Sequence, residues 1–347
     1  MEYRPLGRTD LKVSALSLGT MTFGEQNSEA EAHEQLDMAV DHGVNFLDAA
    51  EMYPIPPSPD TQGRTEQYIG SWLKARGNRD NLVIATKVVG RSKNFAHLGR
   101  GAETRLDRDN IEKACEGSLR RLGVDCIDLY YTHWPERNAA YFGALGYDPA
   151  PDNNPVPIEE TLEAMDRLIK AGKVRHMGVS NETAWGVMEH LKLSETQGAP
   201  RIAAIQNPYS LLNRSFECGL AEPAIREAVG LCAYSILGFG MLTGKYLGGA
   251  EPEGARLTRW KFFQRYRNPR GEAASRAYVD LARRHDLDPA QMAIAYVAQK
   301  PFVTSAILGA TTTEQLKRNL DARNLTLSRE VLDGIEAIHA DHMYPCP

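Results

Sequence analysis

Val44–Asn45–Phe46–Leu47–Asp48–Ala49–Ala50–Glu51–Met52–Tyr53 decides the fold. An apolar run of strand length closes on a carboxylate, and a tyrosine follows it. Two further runs close in the same manner. Leu82–Val83–Ile84–Ala85–Thr86–Lys87 ends on a lysine, and Ile127–Asp128–Leu129–Tyr130–Tyr131–Thr132–His133 ends on a histidine. As successive parallel strands, these runs bring Asp48, Tyr53, Lys87 and His133 together at the carboxyl end of one sheet. That is the face on which α/β barrels carry their chemistry.

Outward from this stretch, strand-like and helix-like segments alternate along the whole chain, as βαβ units of a parallel sheet require. Strands are expected at Ala15–Gly19, Val44–Asp48, Leu82–Val88, Ile127–His133, Val174–Ser180, Ile202–Gln206, Leu231–Ser235 and Val303–Leu308. The helices between and after them are expected near 29–42, 65–76, 108–122, 158–171, 183–196, 218–229, 271–285 and 313–322. Eight such units make a (β/α)8 TIM barrel, here a single domain over 1–347. A small hairpin, Tyr3–Leu6 with Lys12–Ser14, precedes the cycle, and Ser328–His339 reads as an extra helix after it.

Composition narrows the functional classes. The 42% apolar fraction of the 347 residues supplies a sizeable core, and a net charge of −5 argues against a nucleic-acid or anionic-membrane surface. Five cysteines without a C-x-x-C pair point to a reduced, cytoplasmic protein with no disulfide frame or zinc site. No h-region opens the chain and no apolar run is long enough to span a bilayer, so neither secretion nor membrane insertion is expected. His97, His176, His190 and His285 are isolated and no metal is expected; Cys218 and Cys232 read as small buried fillers.

Four loops on the carboxyl side are long, about 54–63, 89–107, 134–157 and 237–270. Loops of this size in a compact domain usually serve function. The third carries Trp134, Tyr141, Phe142 and Tyr147, which suits either a lid over substrate or a surface decoration whose rings pack on one another.

The chemistry expected of the four strand-end residues is proton donation to a carbonyl oxygen. Tyrosine is protonated at neutral pH, an ammonium beside it stabilises the phenolate and lowers its pKa, and a carboxylate keeps that ammonium charged and aimed. Tyr53, Lys87 and Asp48 supply these parts, and His133 would orient the carbonyl.

The tract Asp48–Ala49–Ala50–Glu51–Met52–Tyr53 resembles the aldo-keto reductase signature D-[TA]-A-x-x-Y. Lys87 in A-T-K, His133 in Y-x-x-H-W, Gly178–Val179–Ser180–Asn181, Gln206–Asn207–Pro208–Tyr209, Leu242–Thr243–Gly244–Lys245–Tyr246 and Leu308–Gly309–Ala310–Thr311 follow in register. Gln206 through Arg214 is most similar to the bacterial Tas-type branch of that family. The resemblance implies an NADP(H) cofactor lying across the barrel mouth without a Rossmann domain. It implies that Ser180, Asn181 and Gln206 bond the carboxamide and that Tyr234 stacks on the nicotinamide. Gly19, Thr20, Met21 and Gln26 would lie near the ring and pyrophosphate, with Asp48 beneath. Ser235, Leu237, Gly238, Gly240, Leu242 and Lys245 would wrap the pyrophosphate, and Arg256 would add a cation. Gly309, Thr311, Gln315, Arg318 and Asn319 fall at the adenosine end. Two departures stand there: Gly309 replaces a lysine used by many relatives for the 2′-phosphate, and Arg318 replaces a glutamate.

The resulting expectation is an NADP(H)-dependent reductase of aldehydes and ketones, with Trp134, Tyr53 and His133 against the small-molecule substrate. Two alternatives belong to other classes. Potassium-channel β-subunits of this superfamily bind cofactor but serve a partner; they typically lack the tetrad histidine, which is present here as His133. A Schiff-base lyase would use Lys87, but a carboxylate partner raises the pKa of that lysine when catalysis needs it lowered.

Overall fold

The period-two alternation of the short apolar runs becomes a closed parallel barrel in the computed structural model, which describes residues 1–149 and 154–347. Tyr3–Pro5 (β1) and Lys12–Ser14 (β2) pair antiparallel. The barrel strands are Leu16–Gly19 (β3), Phe46–Asp48 (β4), Val83–Val88 (β5), Ile127–Thr132 (β6), Val174–Ser180 (β7), Ile202–Gln206 (β8), Gly230–Ala233 (β9) and Val303–Leu308 (β10). Each pairs with its successor, and β10 closes on β3.

Alternate residues point inward. Phe46, Val83, Ala85, Leu129 and Tyr131 fill the barrel interior, and Leu6, Leu11 and Val13 of the hairpin pack on the same cluster. The same alternation continued toward the carboxyl ends aims Asp48, Lys87 and His133 inward too. Leu47, Ile84, Val88 and Tyr130 face outward and join the second core, beneath the helices.

Those helices are Glu29–Asp41 (α1), Arg64–Arg76 (α2), Arg108–Leu122 (α3), Ile158–Lys170 (α4) and Ala184–Gln197 (α5) in the first five units. Asp107 caps α3 by accepting from Asn110 N, and Thr183 caps α5 by accepting from Gly186 N. The helix expected at 218–229 is instead two short pieces, Phe216–Gly219 (α6) and Ala221–Arg226 (α7). Pro223 has no N–H to give the Gly219 carbonyl, so a continuous ladder cannot form there. Arg256–Arg259 (α8) is a single turn inside the long loop after β9.

Past that loop the sequence reading misses an element. Pro269–Arg284 (α9), capped by Asn268, is the helix expected at 271–285, but Pro289–Ala298 (α10) follows it and lies against β10. Helix α10 is apolar on every face and buried along nearly its whole length, so it shows no amphipathic period. Its one signal is Asp288–Pro289: the aspartate accepts from Ala290 N at 2.9 Å and Gln291 N at 3.0 Å, and proline takes the first helical position. Thr313–Asp321 (α11) and the extra helix Arg329–Asp341 (α12) complete the chain, with Ser328 capping α12. Among the described residues no helix is long and apolar enough to cross a membrane.

Candidate active site

Asp48 closes β4, Lys87 lies one residue from the end of β5, His133 follows β6 directly, and Tyr53 stands in the turn after β4. Lys87 Nζ donates to Asp48 Oδ2 at 2.7 Å, to the Ala49 carbonyl at 2.7 Å and to Tyr53 Oη at 3.4 Å. All three of its protons are committed. Gln206 Nε2 donates to the other oxygen of Asp48 at 2.7 Å, so the carboxylate is held from both sides. The His133 ring meets the Tyr53 ring edge-on at 5.8 Å.

Electrostatics fix the protonation states. Burial works against the Lys87 ammonium, but Asp48 and Tyr53 outweigh it and its pKa lies above the ordinary value. Tyr53 departs from the sequence reading. Burial raises its pKa and exceeds the opposing pull of Lys87, so the net shift is upward rather than downward. The phenol is therefore fully protonated at neutral pH, poised to donate.

His133 is shifted down, well below the usual imidazole value, first by burial and then by the Lys87 charge. Its Nδ1 has no hydrogen-bond partner among the described residues. A depressed folded-state pKa means the unfolded chain binds the extra proton first, so the contribution of His133 to stability is present above about pH 6.5 and is lost as pH falls through the folded-state value. His133→Asn is accordingly expected to lose less stability than the parent between roughly pH 7 and pH 5. Urea midpoints across that range measure it; equal slopes would contradict a buried neutral imidazole.

A cavity of about 1630 Å³ opens above these residues, with Asp48, Tyr53 and His133 on its wall and Lys87 behind. That exceeds the roughly 300–1,000 Å³ of a drug-sized site and leaves room for a dinucleotide and a second molecule. Of the residues assigned from resemblance to the nicotinamide end, Gly19, Met21, Gln26, Ser180, Asn181, Gln206 and Tyr234 line it. Ser235, Leu237, Gly240, Lys245 and Arg256 line the next part, and Gly309, Thr311, Gln315, Arg318 and Asn319 the far part. Thr20, Gly238 and Leu242 stand behind the wall. Thr20 Oγ1 donates to the Asp48 carbonyl at 2.8 Å, Leu242 is in the core, and Gly238 at φ 54° serves a turn.

Trp134, Tyr141 and Phe142 also border the cavity, and they pack on one another: Trp134 with Phe142 at 5.8 Å, Tyr141 with Phe142 at 5.0 Å. The packing of these rings on one another matches the decoration reading, and their place on the cavity wall is where a lid would lie, whereas Tyr147 is exposed and off the wall. Residues 150–153 of that loop lie outside the described residues. Gly90 allows Trp134 its place, because a Cβ there would meet the indole at 2.4 Å.

Sequence reasoning misses what holds the loops. Glu51, inside the signature tract, is buried and takes Arg100 in a bidentate pair at 2.5 and 2.8 Å, with Val89 N at 2.7 Å. Arg105 donates to Glu136 at 2.5 Å, and Arg137 to Glu182 at 2.5 Å. These three pairs tie the 89–107 and 134–157 loops to each other and to the ends of β4 and β7. Partners so far apart in sequence leave no local signal. Cys218 also departs from expectation: it is exposed and hydrogen-bonded to Tyr344 Oη at 2.5 Å.

The comparisons with known proteins meet this geometry. The family model for the Aldo/keto reductase family matches residues 15–340. The chain belongs to the aldo/keto reductase family. It is 54% identical over 347 residues, all of both chains, to "Protein tas" of Escherichia coli (strain K12). Over 334 residues it is 32% identical to "Uncharacterized oxidoreductase YrpG" of Bacillus subtilis (strain 168), covering 96% of this chain and 94% of that one. A "Probable voltage-gated potassium channel subunit beta" of Arabidopsis thaliana is 33% identical over 361 residues, covering 97% and 96%. Membership of the aldo/keto reductase family supports an oxidoreductase, acting on small molecules.

Proposed function

We propose that the protein is an NADP(H)-dependent carbonyl reductase that converts aldehydes or ketones to alcohols, with Tyr53 as the acid. The observation that carries this reading is the Tyr53 hydroxyl 3.4 Å from a buried, fully committed Lys87 ammonium, on the wall of a cavity it shares with His133. Neutral His133 can donate from Nε2 to a carbonyl oxygen and so orient it toward Tyr53. As the carbonyl carbon gains hydride, its oxygen takes the Tyr53 proton, and Lys87 stabilises the phenolate left behind. Solvent then returns that proton. The raised pKa of Lys87 speaks against a Schiff-base role, which needs a neutral amine.

The donor set fits a nicotinamide dinucleotide, which supplies the hydride when bound. Lys245 and Arg256 line the cavity without a carboxylate partner among the described residues. Burial and mutual repulsion lower the pKa of Lys245, the mark of a site built for anions. Phosphates would relieve that repulsion. Tyr234 Oη donates to Asn181 Oδ1 at 2.5 Å, which fixes a ring at the wall above Gln206.

Arg318 is differently placed. It is half exposed and already pairs with Asp288 at 2.5 Å, so it offers less to a 2′-phosphate than an arginine without an ion pair would. The expectation is that NADPH binds more tightly than NADH, and that Arg256→Ala weakens NADPH by about tenfold or more while Arg318→Ala weakens it less. Fluorescence titrations of both nucleotides against the parent and the two variants measure this. Equal affinities of the parent for NADH and NADPH would refute the phosphate assignment. A panel of aldehydes and ketones scored by NADPH oxidation tests the reaction itself, and an inert panel would leave the cofactor-binding sensor reading in its place.

A further inference from the structure

The cations on the cavity wall fall into two groups with one left over. Lys245 and Arg256 form the phosphate-facing group with Arg318, which acts on Lys245 electrostatically. Arg91 pairs with Glu103 at 3.3 Å, and Arg270 is exposed on the first turn of α9. Arg265 belongs to neither group. It lines the cavity, is only partly exposed and has no ion pair among the described residues.

Its surroundings place it on the tetrad side. The Arg265 guanidinium stands 5.6 Å from the Phe142 ring and 6.0 Å from the Tyr266 ring, and it interacts with the Tyr234 and Tyr266 hydroxyls. Phe142 touches Trp134 at 5.8 Å, and Trp134 touches His133 at 5.2 Å. One continuous aromatic wall therefore runs from the tetrad to this guanidinium. Of the carboxylates on the cavity wall, Asp48 is held by Lys87 and Gln206, and Glu253 is exposed without an ion pair among the described residues. Pro347 borders the same corner, and among the described residues no ion pair joins it to Arg265. A guanidinium that faces a cavity beside the Tyr234 and Tyr266 phenols, with no carboxylate partner among the described residues, suits a bidentate carboxylate arriving with the ligand.

We propose that Arg265 binds a carboxylate of the substrate, and that the substrates are carbonyl compounds whose aromatic body spans from the tetrad to this arginine. The inference rests on the reductase reading above. It names the substrate class, and Arg265 as the residue that sets it.

The test compares 4-carboxybenzaldehyde with its neutral methyl ester, methyl 4-formylbenzoate, under NADPH. The parent is expected to favour the acid in kcat/KM by about tenfold to a hundredfold, the size of a charge-assisted contact. Arg265→Met is expected to collapse that ratio to about one, and Arg265→Lys to retain part of it. A parent that does not favour the acid, or a ratio unchanged in Arg265→Met, overturns the proposal. So does a loss in Arg265→Met confined to NADPH affinity, which would move Arg265 to the cofactor. If neither aldehyde is turned over, the reductase reading falls, and calorimetric titration with benzoate and benzamide judges Arg265 alone. Tighter binding of benzoate, abolished by Arg265→Met, supports the carboxylate site; equal binding of the two overturns it.

Discussion

Tyr53→Phe is expected to lower the turnover of a reactive aldehyde at least about a hundredfold while nucleotide affinity stays within a few-fold of the parent. The substitution removes one oxygen and keeps a ring that packs beside Met52, Phe95 and Trp134. Among the described residues one hydrogen bond is lost, the 3.4 Å contact from Lys87, whose ammonium keeps Asp48 and the Ala49 carbonyl. The fold should therefore persist. Hydride addition would then leave an alkoxide without a positioned proton donor. General acid catalysis contributes about 10²–10⁴ in rate, roughly 3–5 kcal/mol of barrier. Stopped-flow single turnovers isolate this step from product release. If Tyr53→Phe reduces the aldehyde at the parent rate, Tyr53 is not the acid and the tetrad reading fails.

The net upward shift of the Tyr53 pKa sharpens that expectation. A phenol that burial keeps protonated is available as an acid across neutral pH, and in the proposed mechanism Lys87 would matter most once negative charge forms on the oxygen. In that mechanism the ammonium would stabilise the phenolate formed in the reaction more than it perturbs the resting group, which is where catalytic stabilisation has to act.

The parts of the molecule legible in sequence are those whose signal is local. Short apolar runs bounded by turns gave the eight strands, and period two carried Asp48, Lys87 and His133 to the inner face, because alternation is a property of the strand itself. Some expected strand ends run past the ladder, as at Val44 and Tyr234, where an apolar or aromatic residue lies just outside it, and the expected Leu231 start falls one residue after Gly230. Helix α10 was lost because a helix buried on all sides carries no periodicity, and only Asp288–Pro289 marked its start. The Glu51–Arg100, Arg105–Glu136 and Arg137–Glu182 pairs are not legible at all, nor is Arg265 without a carboxylate partner among the described residues. Each depends on which distant loops meet above the barrel, and a charged residue in a loop reads as solvated until its partner, or its lack of one, is seen.

Lys87→Met is expected to damage both stability and catalysis, and the two losses can be separated. Lys87 is wholly buried, and its ammonium neutralises a buried Asp48 at 2.7 Å. Methionine fills similar volume but leaves that carboxylate with only the Gln206 amide. Removing one partner of a buried pair costs about 3–5 kcal/mol, because the charge left behind is uncompensated. Urea unfolding should show that loss as a lower midpoint. Turnover should fall by at least about a hundredfold as well, since Tyr53 loses the cation that stabilises its phenolate. The double variant Asp48→Asn with Lys87→Met removes both charges, so it should recover most of the stability and none of the turnover. That pattern separates a cation needed for the chemistry from one needed only for the fold. Recovery of activity along with stability would make Lys87 a structural counter-ion to Asp48 and leave Tyr53 to donate its proton unaided.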